Sequence, residues 1–120
     1  MRRLLESFVA GIVLVLLAGC GSSTTTTGAT STANVVITIV SENGAMSFSP
    51  ASATAKVGQT VAWTNSDTIT HTATEDNGTF DTGGVNPGTA SAPIAMPKAG
   101  TFPYHCSIHP TMTGTLTVTQ

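Results

Sequence analysis

The sequence predicts one all-β domain, a sandwich or Greek-key barrel of short strands, preceded by an export signal and a polar tether. Three observations carry that prediction. Thr occurs 23 times, while the helix-favouring residues Glu, Lys and Leu are sparse beyond the first twenty positions; Thr and Val suit strands. Apolar residues recur at period two from Asn34 onward. Turn signals separate these runs at Asn43-Gly44, Val57-Gly58, Asn77-Gly78, Asn86-Pro87-Gly88 and Ala99-Gly100.

The first 19 residues read as signal rather than fold. Met1-Arg2-Arg3 is a short basic start, and the apolar run Leu4 to Gly19 contains Glu6. At sixteen residues it falls short of the ~20 needed to span a bilayer, and small residues precede a cleavage point. Leu17-Ala18-Gly19-Cys20 resembles the lipobox of bacterial-type lipoproteins, which implies Cys20 as the lipidated first residue of the mature chain. An uncleaved N-terminal anchor is the alternative. Both place the domain outside the cytoplasm at a membrane surface. Residues 20–33 then form the lipidated Cys and a Ser/Thr/Gly-rich tether, GSSTTTTGATSTA after Cys20, which has nothing to bury. Its thirteen residues would reach about 20 Å as a flexible coil.

Residues 34–120 form the domain. Val35, Ile37 and Ile39 alternate with Val36, Thr38 and Val40, which predicts a strand covered on both faces. Val61 and Trp63 alternate with Thr60, Ala62 and Thr64, placing Trp63 in the core. Gly114, Leu116 and Val118 alternate with Thr113, Thr115, Thr117 and Thr119, so one face is buried and one wet. Without residues 1–19 the chain keeps two Lys against five carboxylates, a formal charge of −3. No basic patch exists to hold a phosphate backbone, which excludes nucleic acid. Glu75, Asp76 and Asp81 read as a solvated loop, and Asn77-Gly78-Thr79 as a turn.

If Cys20 is lipidated, Cys106 is a single leftover thiol in an exported protein and needs an explanation. A Cys20–Cys106 disulfide would staple a tether and requires Cys20 unmodified; an inert buried Cys is the other possibility. The neighbours argue against both. In Tyr104-His105-Cys106-Ser107-Ile108-His109-Pro110-Thr111-Met112, a thiol, an imidazole and a thioether stand at positions n, n+3 and n+6, just before the last strand. A strand end and a tight turn can curl three such side chains around one point. Thiolate and thioether are soft and favour Cu(I), while imidazole suits Cu(II) as well; two His and one Cys with a weak axial Met is a blue-copper donor set. His71, after the polar turn Ser66-Asp67-Thr68, is the candidate second imidazole. Zinc would accept His, His and Cys but usually takes a harder fourth ligand. On a strand, His105 faces away from a metal-directed Cys106. Met46 and Met96 read as core or surface.

From about Val35 to Gln120 the chain resembles the cupredoxin family, the small blue copper proteins that include plastocyanin, pseudoazurin and amicyanin. The matching pieces run in order: Val57-Gly58-Gln59-Thr60-Val61-Ala62-Trp63-Thr64-Asn65, His71-Thr72, Phe80-Asp81-Thr82-Gly83, Pro87-Gly88, and Gly100 through Val118 with the Cys-x-x-His-x-x-Met loop. The two-residue gap between His109 and Met112 is similar to the short amicyanin loop. The resemblance implies a Greek-key β-sandwich of about seven to eight strands. It implies one type 1 copper ion, with His71, Cys106 and His109 equatorial and Met112 axial, and one-electron Cu(II)/Cu(I) cycling. It further implies His109 as the electron's exit, and a monomer that meets redox-protein partners transiently through a small interface edged by Pro110, Pro87 and Met46.

Two positions depart from the family pattern. Thr72 stands where relatives commonly have Asn, which puts the hydrogen bonding around the Cys loop in question. Ile108 stands where many have Pro and adds a backbone N–H that could reach the thiolate. The competing function is copper delivery or storage with the same ligands. Independent catalysis is not expected, because two of only three His are committed to one ion.

Overall fold

The computed structural model describes residues 32–120; the expected signal, Cys20 and nearly all of the tether lie outside the described residues. Eight strands follow in order: β1 (Val35–Glu42), β2 (Ala45–Ser49), β3 (Ser52–Lys56), β4 (Thr60–Asn65), β5 (Thr74–Glu75), β6 (Ile94–Ala95), β7 (Gly100–His105) and β8 (Thr113–Thr119). They build two four-stranded sheets, β2-β1-β4-β6 and β3-β8-β7-β5, whose inner faces share one core. The all-β sandwich expected from the sequence is the fold found. Among the described residues no helix is long and apolar enough to cross a membrane.

The period-two pattern translates directly into burial on β8, whereas on β4 Ala62 is buried together with Val61 and Trp63. Trp63 and Leu116 are fully buried, and the Thr residues of β8 face outward. β1 departs from its expected two-sided cover. Ile37 and Ile39 are buried, but Val36 is 52% exposed, because a two-layer sandwich gives each sheet only one dry face. The Asn43-Gly44 pair makes the β1–β2 hairpin turn with both residues at positive φ, 52° and 80°, as a type I′ turn requires.

Strand directions decide where function can sit. β1 runs parallel to β4 and β3 parallel to β8, while β7 and β8 are antiparallel. The chain therefore enters beside Thr60, where Asn34 Oδ1 accepts the Thr60 N–H at 2.9 Å. The far end of β4 and the β7–β8 connection meet at the opposite pole. Beneath that pole lies an aromatic cluster: the Tyr104 ring is 4.7 Å from Phe48 and 5.6 Å from Trp63, centroid to centroid. Burial pushes the Tyr104 hydroxyl up to about 12, against a smaller pull from the Trp63 indole. Gly114, paired with Tyr104 across the ladder, leaves room for that ring; a Cβ there would lie 2.4 Å from Cζ.

The acidic segment 75–81 is not a simple solvated loop. Glu75 is buried, and its Oε2 accepts the backbone N–H groups of Asn77 and Thr79 at 2.9 and 3.0 Å. The turn at Asn77-Gly78 is thus tied from inside. Asp76 pairs with His105 at 2.7 Å, and Asp81 Oδ1 accepts the Gly83 N–H at 2.8 Å.

Two stability tests follow from this packing. Gly114→Ala should destabilise the domain by about 1–3 kcal/mol through overpacking, read as a lower midpoint in chemical denaturation of the metal-free protein; an unchanged midpoint would show that Tyr104 moves freely. The hydrogen bonds from Thr79 and Asn77 hold the Glu75 carboxyl below its ordinary value of 4.5. That contribution is present above pH 4.5 and fades as pH falls through the lower folded value. Glu75→Gln should therefore melt below the native protein at neutral pH, with the gap narrowing in acid; a gap independent of pH would refute the linkage.

Candidate metal centre

The first loop at this pole starts from Asn65, the fully buried last residue of β4. Its Nδ2 donates to the carbonyls of Ile69 at 2.7 Å and Val85 at 2.8 Å, and its Oδ1 accepts the Asp67 N–H at 2.8 Å. One side-chain amide thus closes the turn and delivers the chain to His71. The His71 backbone is then fixed on both sides by Val85, donating at 3.2 Å and accepting at 2.7 Å.

The second loop leaves β7 after His105. Cys106 N–H donates to the Met112 carbonyl at 3.0 Å, and Met112 N–H donates to the His109 carbonyl at 2.9 Å. The seven residues from Cys106 to Met112 therefore form a closed loop on the end of the β7–β8 ladder.

The two loops bring Cys106, His71 and His109 together, as the sequence predicted. Cys106 Sγ lies 3.7 Å from His71 Nδ1 and 3.6 Å from His109 Nδ1, and the two Nδ1 atoms are 3.2 Å apart. Cys106 and His71 are fully buried; His109 is half-buried. Ion–ligand distances of about 2.0–2.3 Å at trigonal angles place donor atoms roughly 3.5–3.8 Å apart, so this triangle is already close to the size that one ion requires. Met112 is buried at the end of the same loop. A thiol, two imidazoles and a thioether together fit one type 1 copper ion.

Thr72 answers the question raised by the missing Asn. Its backbone N–H donates to Cys106 Sγ at 3.3 Å. Its Oγ1 accepts the Ser107 N–H at 2.8 Å and lies 3.0 Å from both Ser107 Oγ and Thr74 Oγ1. A hydroxyl therefore does the bridging that an amide oxygen could do. Ile108 turns its side chain outward, 52% exposed. His105 faces away from the triangle, with Nδ1 2.7 Å from Asp76 Oδ1. Met96 is core, with its backbone bonded to Gly58 and Gln59 at the other pole.

Sequence reasoning missed Asp67. Its Oδ2 lies 2.7 Å from His71 Nε2, although Ser66-Asp67-Thr68 reads as an ordinary polar turn. The hydrogen bond from His71, joined by the Thr68 backbone N–H, holds the Asp67 carboxyl below its ordinary 3.8. The available signal is the four-residue step from Asp67 to His71.

Comparison with known proteins agrees with this geometry. The sequence matches the cupredoxin-like domain family over residues 8–118. A structure described as a novel purple cupredoxin from Nitrosopumilus maritimus is 31% identical, with 72% of this chain and all of that one covered and a TM-score of 0.63. The reduced Cu(I) form at pH 4 of an amicyanin variant is 26% identical over 70% of this chain and 80% of its own, with a TM-score of 0.61. A copper-containing nitrite reductase from Thermus scotoductus SA-01 is 28% identical over 72% of this chain, with a TM-score of 0.62, but only 22% of that longer chain is covered. No curated protein sequence matches.

Thr72→Val keeps the N–H to Sγ and removes the acceptor for Ser107. It should cost about 1 kcal/mol and shift the Ser107 amide resonance of the metal-free protein, while Thr72→Ser should restore both. A Thr72→Val variant as stable as the native protein, with the loss confined to Thr72→Ser, would mean that the methyl group, not the hydroxyl, holds the loop.

Proposed function

The chain belongs to the cupredoxin family, and on that premise we propose that it is a blue copper electron carrier working at the outer surface of a cell membrane. His71, Cys106 and His109 are the equatorial ligands and Met112 the axial one. The observation that carries this reading is the triangle of Sγ and two Nδ1 atoms within 4.8 Å of one another. Copper bound there supplies a one-electron Cu(II)/Cu(I) couple.

The chain's own residues supply the rest. Cys106 and His71 are sealed from water, and the Thr72 N–H donates to Cys106 Sγ without adding a charge. The backbone bonds from Val85 to His71 and from Cys106 to Met112 keep the donors in place, so little has to move when an electron arrives. His109 is the half-buried ligand and the shortest route to the surface. Ile108 and Pro110 flank it, and Ile69 lies two residues before His71; all three are exposed. They form an apolar rim suited to brief docking of a redox partner. Pro87 is exposed as well, whereas Met46 packs partly against the core.

Export and lipidation at Cys20 complete the proposal, on the strength of residues 1–19 and the Leu17-Ala18-Gly19-Cys20 motif. The tether joins the domain at the pole opposite the metal site, which leaves the rim around His109 free for partners. Burial of Cys106 and His71 favours retention of the ion over its delivery to an acceptor. The domain acts as a monomer with no catalysis of its own.

Adding Cu(II) to the protein should produce an intense visible thiolate-to-copper band with narrow copper hyperfine splitting in electron-spin resonance. Cys106→Ala should abolish that band, and Met112→Ala should keep a displaced one. A colourless native protein, or a band that survives Cys106→Ala, would overturn the ligand set.

A further inference from the structure

Among the described residues, Asp67 is the one buried carboxylate in contact with a proposed ligand. Its side chain is 6% exposed and its Oδ2 sits 2.7 Å from His71 Nε2. The carboxylate is fixed from the other side too: Oδ1 accepts the Thr68 N–H at 2.6 Å, and the Asp67 N–H donates to Asn65 Oδ1 at 2.8 Å. Asn65 in turn is fully buried and bonded to Ile69 and Val85. Asp67 is thus held by hydrogen bonds on both sides, with only a small part of its side chain open to water.

We propose that Asp67 is a positioning residue that sets the protonation pattern of His71 and lowers the reduction potential of the centre. The inference rests on the reading of His71 as a copper ligand. A carboxylate oxygen at 2.7 Å accepts a proton-bearing nitrogen, so Nε2 carries the hydrogen of a neutral ring. The lone pair is then on Nδ1, the atom that points at Cys106 Sγ from 3.7 Å. Donation to a carboxylate also raises the electron density that the ring offers at Nδ1. The charge acts in the same direction. Thiolate with Cu(II) carries one net positive charge and thiolate with Cu(I) none, so a fixed neighbouring anion favours the oxidised form. Because Asp67 and His71 are buried, salt in the solvent screens this little.

The decisive comparison is the potential of the copper-loaded protein in three forms: native, Asp67→Asn, and Glu42→Gln, which removes the same charge from an exposed position. Asp67→Asn should weaken Cu(II) relative to Cu(I) about tenfold, which raises the potential by about 59 mV for one electron, at low and high salt alike. Glu42→Gln should leave it nearly unchanged. Equal potentials in Asp67→Asn and the native protein would overturn the proposal. Should Asp67→Asn fail to fold, nitrogen-15 NMR of the native metal-free protein decides instead: a His71 ring protonated at Nε2 supports the role, and one protonated at Nδ1 overturns it. A native protein without the visible thiolate band would sink the copper reading itself. That result is separate from a coloured protein whose potential ignores Asp67.

Discussion

The donor triangle closes only if the two sheets are held in register against each other. His71 follows β4, a strand of one sheet, while Cys106, His109 and Met112 belong to the β7–β8 connection of the other. The hydrogen bond from Thr72 N–H to Cys106 Sγ, at 3.3 Å, crosses that divide at the rim. Below it, Trp63 of the first sheet packs against Tyr104 of the second. The metal geometry is therefore a property of the sandwich as a whole. A loop alone could not hold it.

A thiol and two imidazole nitrogens 3.2–3.7 Å apart make a crowded polar cluster in a dry place. Burying polar groups is unfavourable unless each has a partner. The fold meets this by giving the outer atoms of the site fixed partners. Asn65 satisfies two carbonyls and one N–H, Asp67 takes the far nitrogen of His71, and Thr72 takes the Ser107 N–H. Each partner also restricts how far a ligand can rotate. The hydrogen bonds that make burial tolerable are thus the ones that limit how far the donor side chains can rearrange.

Much of this was legible in the chain. Period-two alternation marks β8 because inward positions there meet only the other sheet, and the Cys-x-x-His-x-x-Met spacing marks one loop because its ligands are close in sequence. β1 was misjudged as covered on both faces: a run such as Val35–Val40 shows what could be buried, whereas Val36 is exposed because no third layer lies over it. The hydroxyl bridge of Thr72 is out of reach for a different reason: it acts through Ser107, 35 residues away and brought close only by folding. Asp67 is four residues from His71, but nothing in the chain shows that the two are buried against each other. Asp67 and Glu75 look like ordinary solvated acids in sequence, and only their burial and fixed hydrogen bonds reveal otherwise.

In the proposed function the fold presents one thiolate and two imidazoles to copper in an arrangement that serves both oxidation states. Copper-edge X-ray absorption of the oxidised and reduced protein reads that arrangement. The expected result is the same close shell of one sulfur and two imidazole nitrogens in each form, with only a slight change in distances on reduction. Loss of an imidazole on reduction at neutral pH, or an oxidised shell of nitrogen and oxygen without a close sulfur, would contradict it.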